Sequence, residues 1–373
     1  MNRVLAIVVL VVAIAGAALF TLVAAVVLGW KLWAGMSGVS AVPPALKRPA
    51  VLFGGGKLQK SQILNDPSFG SITDIILNPS ADSSLGVAGT GGAVFLDSAG
   101  AVTSRVSFAG QFSPVQFVDV TGDSVWEFLD RGGHGWSDAS LLAARGKVLW
   151  TYGGMPGVDD MASGDVDGDG ILDFVVGFNG NGGIRRLDRK SKLIWQQPGG
   201  NVWHVEIADT DHDGKREILH SDAGDVIAVR GADGRLLRQI RLGAYCAHFS
   251  ICQWPGLNQE CILLAGDDEV KLYDYAGSSM AKLRAPSSGV LGFARGTAVR
   301  LREDEPAYLA VIVDFDHWNA SSLYVYGPDE TLVYQEVLGH SCPSLAAVPR
   351  PESGAEDLLL GGTDTLWKYT WAN

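Results

Sequence analysis

A nine-residue stretch of the sequence carries acids at a spacing that is typical of calcium-binding loops. It reads Asp-Val-Asp-Gly-Asp-Gly-Ile-Leu-Asp, so acids occupy relative positions 1, 3, 5 and 9. Calcium takes about six to eight oxygens from carboxylates, carbonyls and water. Without a cation, carboxylates this close repel one another, although a solvated acidic turn is the simpler alternative. The candidate ligands are the side chains of Asp165, Asp167, Asp169 and Asp173 and the carbonyl of Ile171.

The same spacing recurs in the chain. One copy begins 44 residues after Asp165, and a weaker copy, in which threonine replaces one acid, begins 46 residues before it. An EF-hand needs a glutamate at position 12 between two helices; here position 12 is Val176 or His220, and the flanks predict strands. The sequence therefore predicts two calcium sites and a degenerate third inside β-hairpins. The further ligands are Asp209, Asp211, Asp213, the carbonyl of Lys215 and Glu217, and in the weaker copy Asp119, Thr121, Asp123 and Glu127.

The motif Asp-x-Asp-x-Asp-Gly-x-x-Asp, repeated every 40-odd residues, resembles the FG-GAP repeats of integrin α-subunit propellers and related bacterial proteins. The match covers about Asp119 to Ile240, and weaker repeats extend it over most of the chain. In that family each repeat is one four-stranded blade, and the calcium loop joins its first two strands. The resemblance implies calcium ligation by the two full loops and by the degenerate one.

Short apolar runs bounded by Gly and Asp predict an all-β fold, a seven-bladed β-propeller. The seventh unit supplies only about three strands, so the segment Ala50–Ile63 is expected to add the missing outer strand and close the ring. Units five to seven lack the cation ligands. The seven units begin near Ile72, Val115, Val158, Val202, Tyr245, Gly289 and His340.

The N-terminus predicts a single transmembrane helix. Val4 to Trp30 contains no charge, and a spanning helix needs about 20 apolar residues, whereas the apolar part of a signal peptide has about 7–15. An atypical signal peptide is the alternative. We predict an anchor at residues 1–33, a linker at 34–49 and the propeller at 50–373. Because weak calcium sites suit extracytoplasmic modules, the propeller is expected on the periplasmic or extracellular side.

The sequence shows no catalytic constellation. Nucleophile-elbow, P-loop and dinucleotide motifs are lacking. His204, His248 and His340 fall near the starts of inner strands, close to Trp203 and Tyr245; this grouping indicates ordinary packing or a pocket for a sugar or metal. Cys252 and Cys261 fall on adjacent strands, where either a disulfide or two reduced thiols would fit. The other cysteines are Cys246 and Cys342.

Two outer-strand turns predict how blades are locked together. Arg145-Gly-Lys-Val-Leu-Trp150 and Lys190-Ser-Lys-Leu-Ile-Trp195 look like the Gly-Lys-x-x-Trp turn of quinoprotein dehydrogenase propellers. The tryptophans in that motif join neighbouring blades, and the turn also occurs in non-catalytic propellers. We interpret it as architecture rather than as a quinone site.

These features favour a protein that acts by binding. The formal net charge of −12 argues against nucleic acid. The leading hypothesis is a membrane-anchored, calcium-stabilised propeller that serves as a protein-binding scaffold or accessory subunit of a membrane complex. The alternative is a glycan-binding or polysaccharide-lyase-like propeller that uses Trp203, His204 and Tyr245.

Overall fold

The chain folds into seven antiparallel sheets that follow one another in sequence order. The computed structural model describes residues 51–52, 57–80, 83–112, 114–132, 137–222, 224–255, 259–266, 268–285, 292–315, 319–351 and 353–372. The predicted anchor and linker lie outside these ranges, and within them no helix has the length and apolar character to span a bilayer.

Each sheet is one blade, with four strands in order from the ring centre outwards and a fifth strand added to the sheet of blade 6. Two N-terminal strands, β1 (Val51–Leu52) and β2 (Lys57–Asn65), precede the first blade. Blade 1 contains β3 (Ile72–Ser80), β4 (Ser83–Gly89), β5 (Gly92–Leu96) and β6 (Val102–Ser107). Blade 2 contains β7 (Val115–Val118), β8 (Glu127–Asp130), β9 (Ala139–Leu142) and β10 (Val148–Tyr152). Blade 3 contains β11 (Val158–Gly164), β12 (Asp173–Phe178), β13 (Ile184–Leu187) and β14 (Leu193–Gln197).

The remaining blades continue the pattern. Blade 4 contains β15 (His204–Ala208), β16 (Glu217–Ser221), β17 (Val226–Arg230) and β18 (Leu236–Arg241). Blade 5 contains β19 (Ser250–Trp254), β20 (Gln259–Ala265), β21 (Glu269–Tyr273) and β22 (Ser279–Arg284). Blade 6 contains β23 (Phe293–Val299), β24 (Tyr308–Phe315), β25 (Ala320–Tyr326) and β26 (Leu332–Leu338). Blade 7 contains β27 (Ser344–Pro349), β28 (Glu356–Gly361) and β29 (Thr365–Ala372).

The N-terminal strands close the ring. Strand β2 pairs antiparallel with β29 and supplies the outer strand of blade 7, as the sequence predicts, and β1 adds a fifth strand to blade 6. The inner strand β27 packs against β3, which joins the last blade to the first. Lys60 of β2 pairs with Glu336 at 2.8 Å and lies over the Trp367 ring. Closure covers a sheet edge that would otherwise offer unpaired backbone groups.

The hydrophobic core lies between blades. All six residues of β12 and all eight of β24 are buried, because a second strand is covered on both faces by neighbouring blades. Val175 and Ile184 of blade 3 pack with Val205 and Ile218 of blade 4 in one such layer. The sheets therefore form a rigid disc that holds the connecting loops in fixed positions.

Tryptophans join consecutive blades, as predicted from the outer-strand turns. The Trp150 indole N–H of blade 2 donates to the Arg189 carbonyl of blade 3 at 3.2 Å. The Trp195 indole N–H of blade 3 donates to the Ala232 carbonyl of blade 4 at 2.7 Å. Each bond fixes a hairpin of one blade on the outer strand of the previous one.

Candidate functional site

The three acidic loops predicted from the sequence lie at equivalent positions. Each connects the first and second strands of its blade: β7 to β8, β11 to β12, and β15 to β16. Because these strands run antiparallel, the three loops lie on the same face of the disc. We call this side the loop face.

The loop of blade 4 brings three of its predicted ligands together. Carboxylate oxygens of Asp209, Asp211 and Glu217 lie within 4.8 Å of one another. The Asp209 Oδ1 atom is buried and has no hydrogen-bond partner, while its Oδ2 accepts the Gly214 N–H at 3.0 Å. Buried polar atoms are nearly always hydrogen-bonded, so an orphaned carboxylate oxygen within an acidic cluster fits a bound calcium ion. Of the other predicted ligands, Asp213 accepts the Lys215 N–H at 2.8 Å.

The loop of blade 3 is different, because an arginine enters it. Carboxylate oxygens of Asp165, Asp167 and Asp169 come together, but the predicted fourth ligand, Asp173, binds Arg186 Nη2 at 2.6 Å. The same nitrogen also pairs with Asp167. The Arg186 side chain is only 6% exposed, so its guanidinium supplies a fixed positive charge to two of the predicted ligands. Calcium would have to compete with this guanidinium.

The loop of blade 2 closes through backbone hydrogen bonds. Asp119 accepts the N–H groups of Gly122 and Ser124 at 2.8 and 3.0 Å, and Glu127 accepts the Val120 N–H at 3.1 Å. The predicted ligands Asp119, Thr121, Asp123 and Glu127 do not form an acidic cluster of the kind seen in blades 3 and 4, among the residues that the structure describes.

A charged network fills the central channel between blades 2, 3 and 4. Arg131, which follows β8, donates two hydrogen bonds of 2.9 Å to Asp160 on β11. Asp160 also lies 2.7 Å from His204 Nδ1 on β15 and accepts the Val205 N–H at 3.0 Å. The other ring nitrogen of His204 lies 3.0 Å from Glu206. Both nitrogens face carboxylates, which is the arrangement of a protonated imidazole that donates twice.

The pKa shifts agree with this assignment. Burial alone would lower the pKa of His204, but the carboxylate of Asp160, helped by Glu206, outweighs it and raises that pKa to about 9. Burial would raise the pKa of Asp160, but the charge of Arg131 outweighs it and holds that pKa well below its usual range. The network is therefore fully ionised near neutral pH.

A cavity of about 350 Å³ opens where this network meets solvent. Its aromatic side is formed by Trp203, His248 and Phe293; the His248 ring lies 5.9 Å from Trp203 and 3.9 Å from Phe293. Trp203 and His204 line this cavity, which agrees with the pocket rather than the packing alternative that the sequence left open. Tyr245, which is 52% exposed, is not among its lining residues.

The cavity and the acidic loops lie on opposite faces. The lining residues sit at the beginning of first strands, such as His204 at the start of β15, or just after second strands, such as Arg131 after β8. Antiparallel pairing places these ends opposite the loops that connect the same strands. We call this cavity the channel mouth.

Exposed apolar side chains recur on the outer strands of three consecutive blades. They are the first two residues of β10, β14 and β18, and they are between 36% and 54% exposed. Arg189 and Lys190 line a hollow with Leu149 and a second hollow with Ile194, so the exposed positions of blades 2 and 3 border a shared surface. We call the set the apolar rim: Val148, Leu149, Leu193, Ile194, Leu236 and Leu237.

The four cysteines are reduced thiols. Cys252 and Cys261 are directly opposite each other on β19 and β20, with their sulfur atoms 3.5 Å apart. All four side chains are buried and act as small apolar groups in the core.

The channel network could not be assigned to a site from motifs, because its members come from three blades. One signal was present: the third residue of the inner strand is charged in four blades, as Asp74, Asp160, Glu206 and Arg295. A charged residue within an apolar inner strand marks a side chain that faces the channel.

Comparisons with known proteins support the fold. No protein-family model matches the chain, and no curated protein matches it. Among solved structures, the chain is similar to BBS1N in complex with ARL6DN, in one crystal soaked with lead and another soaked with mercury. The TM-scores are 0.53 and 0.56, respectively. In both comparisons the sequence identity is 13%, and the match covers 83% of this chain and 96% of that chain. The Neurospora crassa Pan2 WD40 domain has a TM-score of 0.52 and 13% identity over 87% of this chain and 98% of that chain. These similarities show a seven-bladed propeller fold.

Proposed function

We propose that the protein is a membrane-anchored, extracytoplasmic propeller that binds a partner protein through the apolar rim. The observation that carries the proposal is the repetition of exposed apolar pairs at one position in blades 2, 3 and 4. Clustered apolar side chains on a soluble surface are typical of protein interaction sites. The similarity to BBS1N, which was crystallised in complex with ARL6DN, is consistent with a propeller that acts as a scaffold.

The charges around the rim define the surface that would fit it. Arg189 and Lys190 line the hollows beside Leu149 and Ile194. The hollow beside Ile194 is also lined by acids, so a complementary partner presents apolar side chains flanked by charges of both signs. These acids are Asp167, Asp169, Asp173 and Asp188. Complementary charges guide the approach and fix the register, while burial of the apolar side chains supplies most of the affinity.

Calcium would stabilise the acidic loops that border the apolar rim. The blade 4 loop is the better candidate, because Asp209 has a buried oxygen without a partner and no arginine enters the cluster. A bound ion would neutralise the carboxylates and hold the backbone of the loop. In blade 3 the residue at position 7, Ile171, is 41% exposed and lines the hollow that contains Ile194. Ordering of such a loop, by calcium or by Arg186, positions an apolar side chain beside the rim.

The anchor places this surface near a membrane. The uncharged run from Val4 to Trp30 supports a spanning helix, and the Pro43-Pro44 linker supports a short tether. The partner is then another membrane or envelope protein.

Co-purification tests the proposal. The full-length chain is extracted gently from its native membranes in calcium, and the co-eluting proteins are quantified by mass spectrometry. Replacing Leu149 and Ile194 together by glutamate should abolish recovery of a stoichiometric partner. Val102→Glu is the matched control, because Val102 is the first residue of the outer strand of blade 1 and is 42% exposed. Equal recovery with the double variant and the wild type would refute the rim as the binding surface.

A further inference from the structure

The channel mouth contains two hydrogen-bond donors that the protein does not use. Arg295 projects into the channel from β23, and among the described residues no carboxylate lies within ion-pair distance of its guanidinium. The Trp203 indole Nε1 is buried and has no hydrogen-bond partner. A buried N–H without an acceptor is costly, so the Trp203 indole favours a ligand that brings an acceptor atom. The Arg295 guanidinium is reached by solvent inside the channel and can pair with an anion there.

The other cations of the channel are already neutralised. Arg131 is held by Asp160 through two hydrogen bonds and also donates to the Val205 carbonyl at 3.1 Å. His204 is held between Asp160 and Glu206. Arg295 is the positive charge that remains without a direct counterion. Burial, followed by the charge of Arg131, lowers the pKa of Arg295, which is the direction expected of a guanidinium that lacks a partner.

The shape of the mouth restricts the ligand further. Its volume of about 350 Å³ is at the small end of ligand pockets, which begin at about 300 Å³. Trp203, His248 and Phe293 provide flat apolar surfaces. Asp159 and Asn179 are polar residues of the same lining.

We propose that the channel mouth binds a small organic carboxylate with a ring-shaped body, through Arg295 and the Trp203 indole N–H. A guanidinium forms strong paired hydrogen bonds with a carboxylate, and the indole N–H adds a third donor. The carboxylate belongs either to a sugar acid or to an aromatic acid. This site lies on the face opposite the loops, and it does not depend on the rim or on a protein partner.

The experiment uses the full-length protein in detergent, labelled with 5-fluorotryptophan and observed by fluorine NMR. Trp203→Phe assigns the Trp203 signal among the 11 tryptophans. The probes are glucuronate and phenylacetate, each compared with its neutral counterpart, glucose or phenylacetamide. We expect the Trp203 signal to shift with at least one carboxylate and not with its neutral counterpart. The probe that binds more tightly identifies the sugar acid or the aromatic acid as the source.

Arg295→Gln should weaken carboxylate binding at least tenfold without lowering the melting temperature, because Arg295 makes no ion pair that the substitution removes. Arg235→Gln is the control, since the Arg235 side chain is 74% exposed in the outer hairpin of blade 4. Trp203→Phe, followed by calorimetry, provides a second variant and should also weaken binding. Failure of both carboxylates to bind, equal binding of the neutral probes, or unchanged affinity in Arg295→Gln would each overturn the proposal. Partner binding by the apolar rim is measured separately, with the rim variants. Failure of carboxylate binding at the channel mouth would therefore leave the proposed rim function untouched, and the reverse also holds.

Discussion

Asp160 is the residue on which the channel network depends most. Its carboxylate accepts both hydrogen bonds from Arg131, contacts His204 at 2.7 Å and accepts the N–H groups of Met161 and Val205 at 2.9 and 3.0 Å. The side chains of Asp160 and Arg131 are each only 9% exposed. Removal of this one carboxylate therefore leaves two cations in the channel without their shared counterion.

We predict that Asp160→Ala lowers the free energy of unfolding by about 3–5 kcal/mol, the cost of breaking a buried ion pair from one side. Two backbone donors also lose their acceptor, so the effect should lie toward the upper end of that range. Urea unfolding of the full-length protein, followed by tryptophan fluorescence, measures the change. Asp233→Ala is the control, because the Asp233 side chain is 71% exposed and lies 4.0 Å from an exposed arginine. It also accepts the Arg235 N–H at 3.0 Å, so we expect a change of no more than about 1 kcal/mol.

Similarly small losses of stability in Asp160→Ala and Asp233→Ala would contradict this role of Asp160. They would mean that water in the channel solvates Arg131 and His204 as well as Asp160 does. A second check is Asp160→Asn, which keeps the shape but not the charge. It should be nearly as destabilising as alanine if the missing charge is responsible, and much milder if packing is responsible.

Other predictions concern pH, metal and closure. The pKa of His204 is raised to about 9. The stability that protonated His204 contributes is therefore fully present below its unfolded-state pKa of about 6.5 and is lost as pH rises through about 9. The urea midpoint should fall over that interval in the wild type and stay flat in His204→Gln. Calcium titration by calorimetry should show one site in the wild type, and Asp211→Asn should remove it. Arg186→Gln should create a second site, in the loop of blade 3. Two sites in the wild type would contradict the idea that Arg186 competes with calcium in that loop. Leu64 is a buried residue of the closing strand β2, so Leu64→Ala should lower the free energy of unfolding by about 2–5 kcal/mol. Leu149→Ala, at a side chain that is 54% exposed, should change it by less than about 0.5 kcal/mol. Equal effects would exclude β2 as a packed part of the ring.

Much of the fold could be predicted because it is repeated locally. Turns rich in Gly and Asp and short apolar strands recur at a nearly constant interval, and the first three inner strands begin at the predicted Ile72, Val115 and Val158. Later blades begin a few residues after the predicted positions. The closing strand followed from counting, since three C-terminal strands need a fourth partner.

The arrangement of side chains between blades was less predictable. Arg186 lies 13 residues beyond Asp173 in the sequence, yet the pairing of β12 with β13 places it beside that carboxylate. Arg131 and His204 meet on Asp160 because three blades converge at the ring centre. Contacts of this kind depend on strand register and on the radius of the ring, which local periodicity does not determine.

Site-specific photocrosslinking is the most direct test of contact between the apolar rim and a partner protein. A photoreactive amino acid replaces Ile194 in the full-length protein, which is produced in its native cells. A control variant of the same protein carries the photoreactive amino acid at Met155. This apolar residue is 90% exposed and lies in the connection between β10 and β11, away from the loop face. We predict one discrete crosslinked partner from position 194 and none from position 155. No crosslink at 194, or the same products from both positions, would contradict the claim.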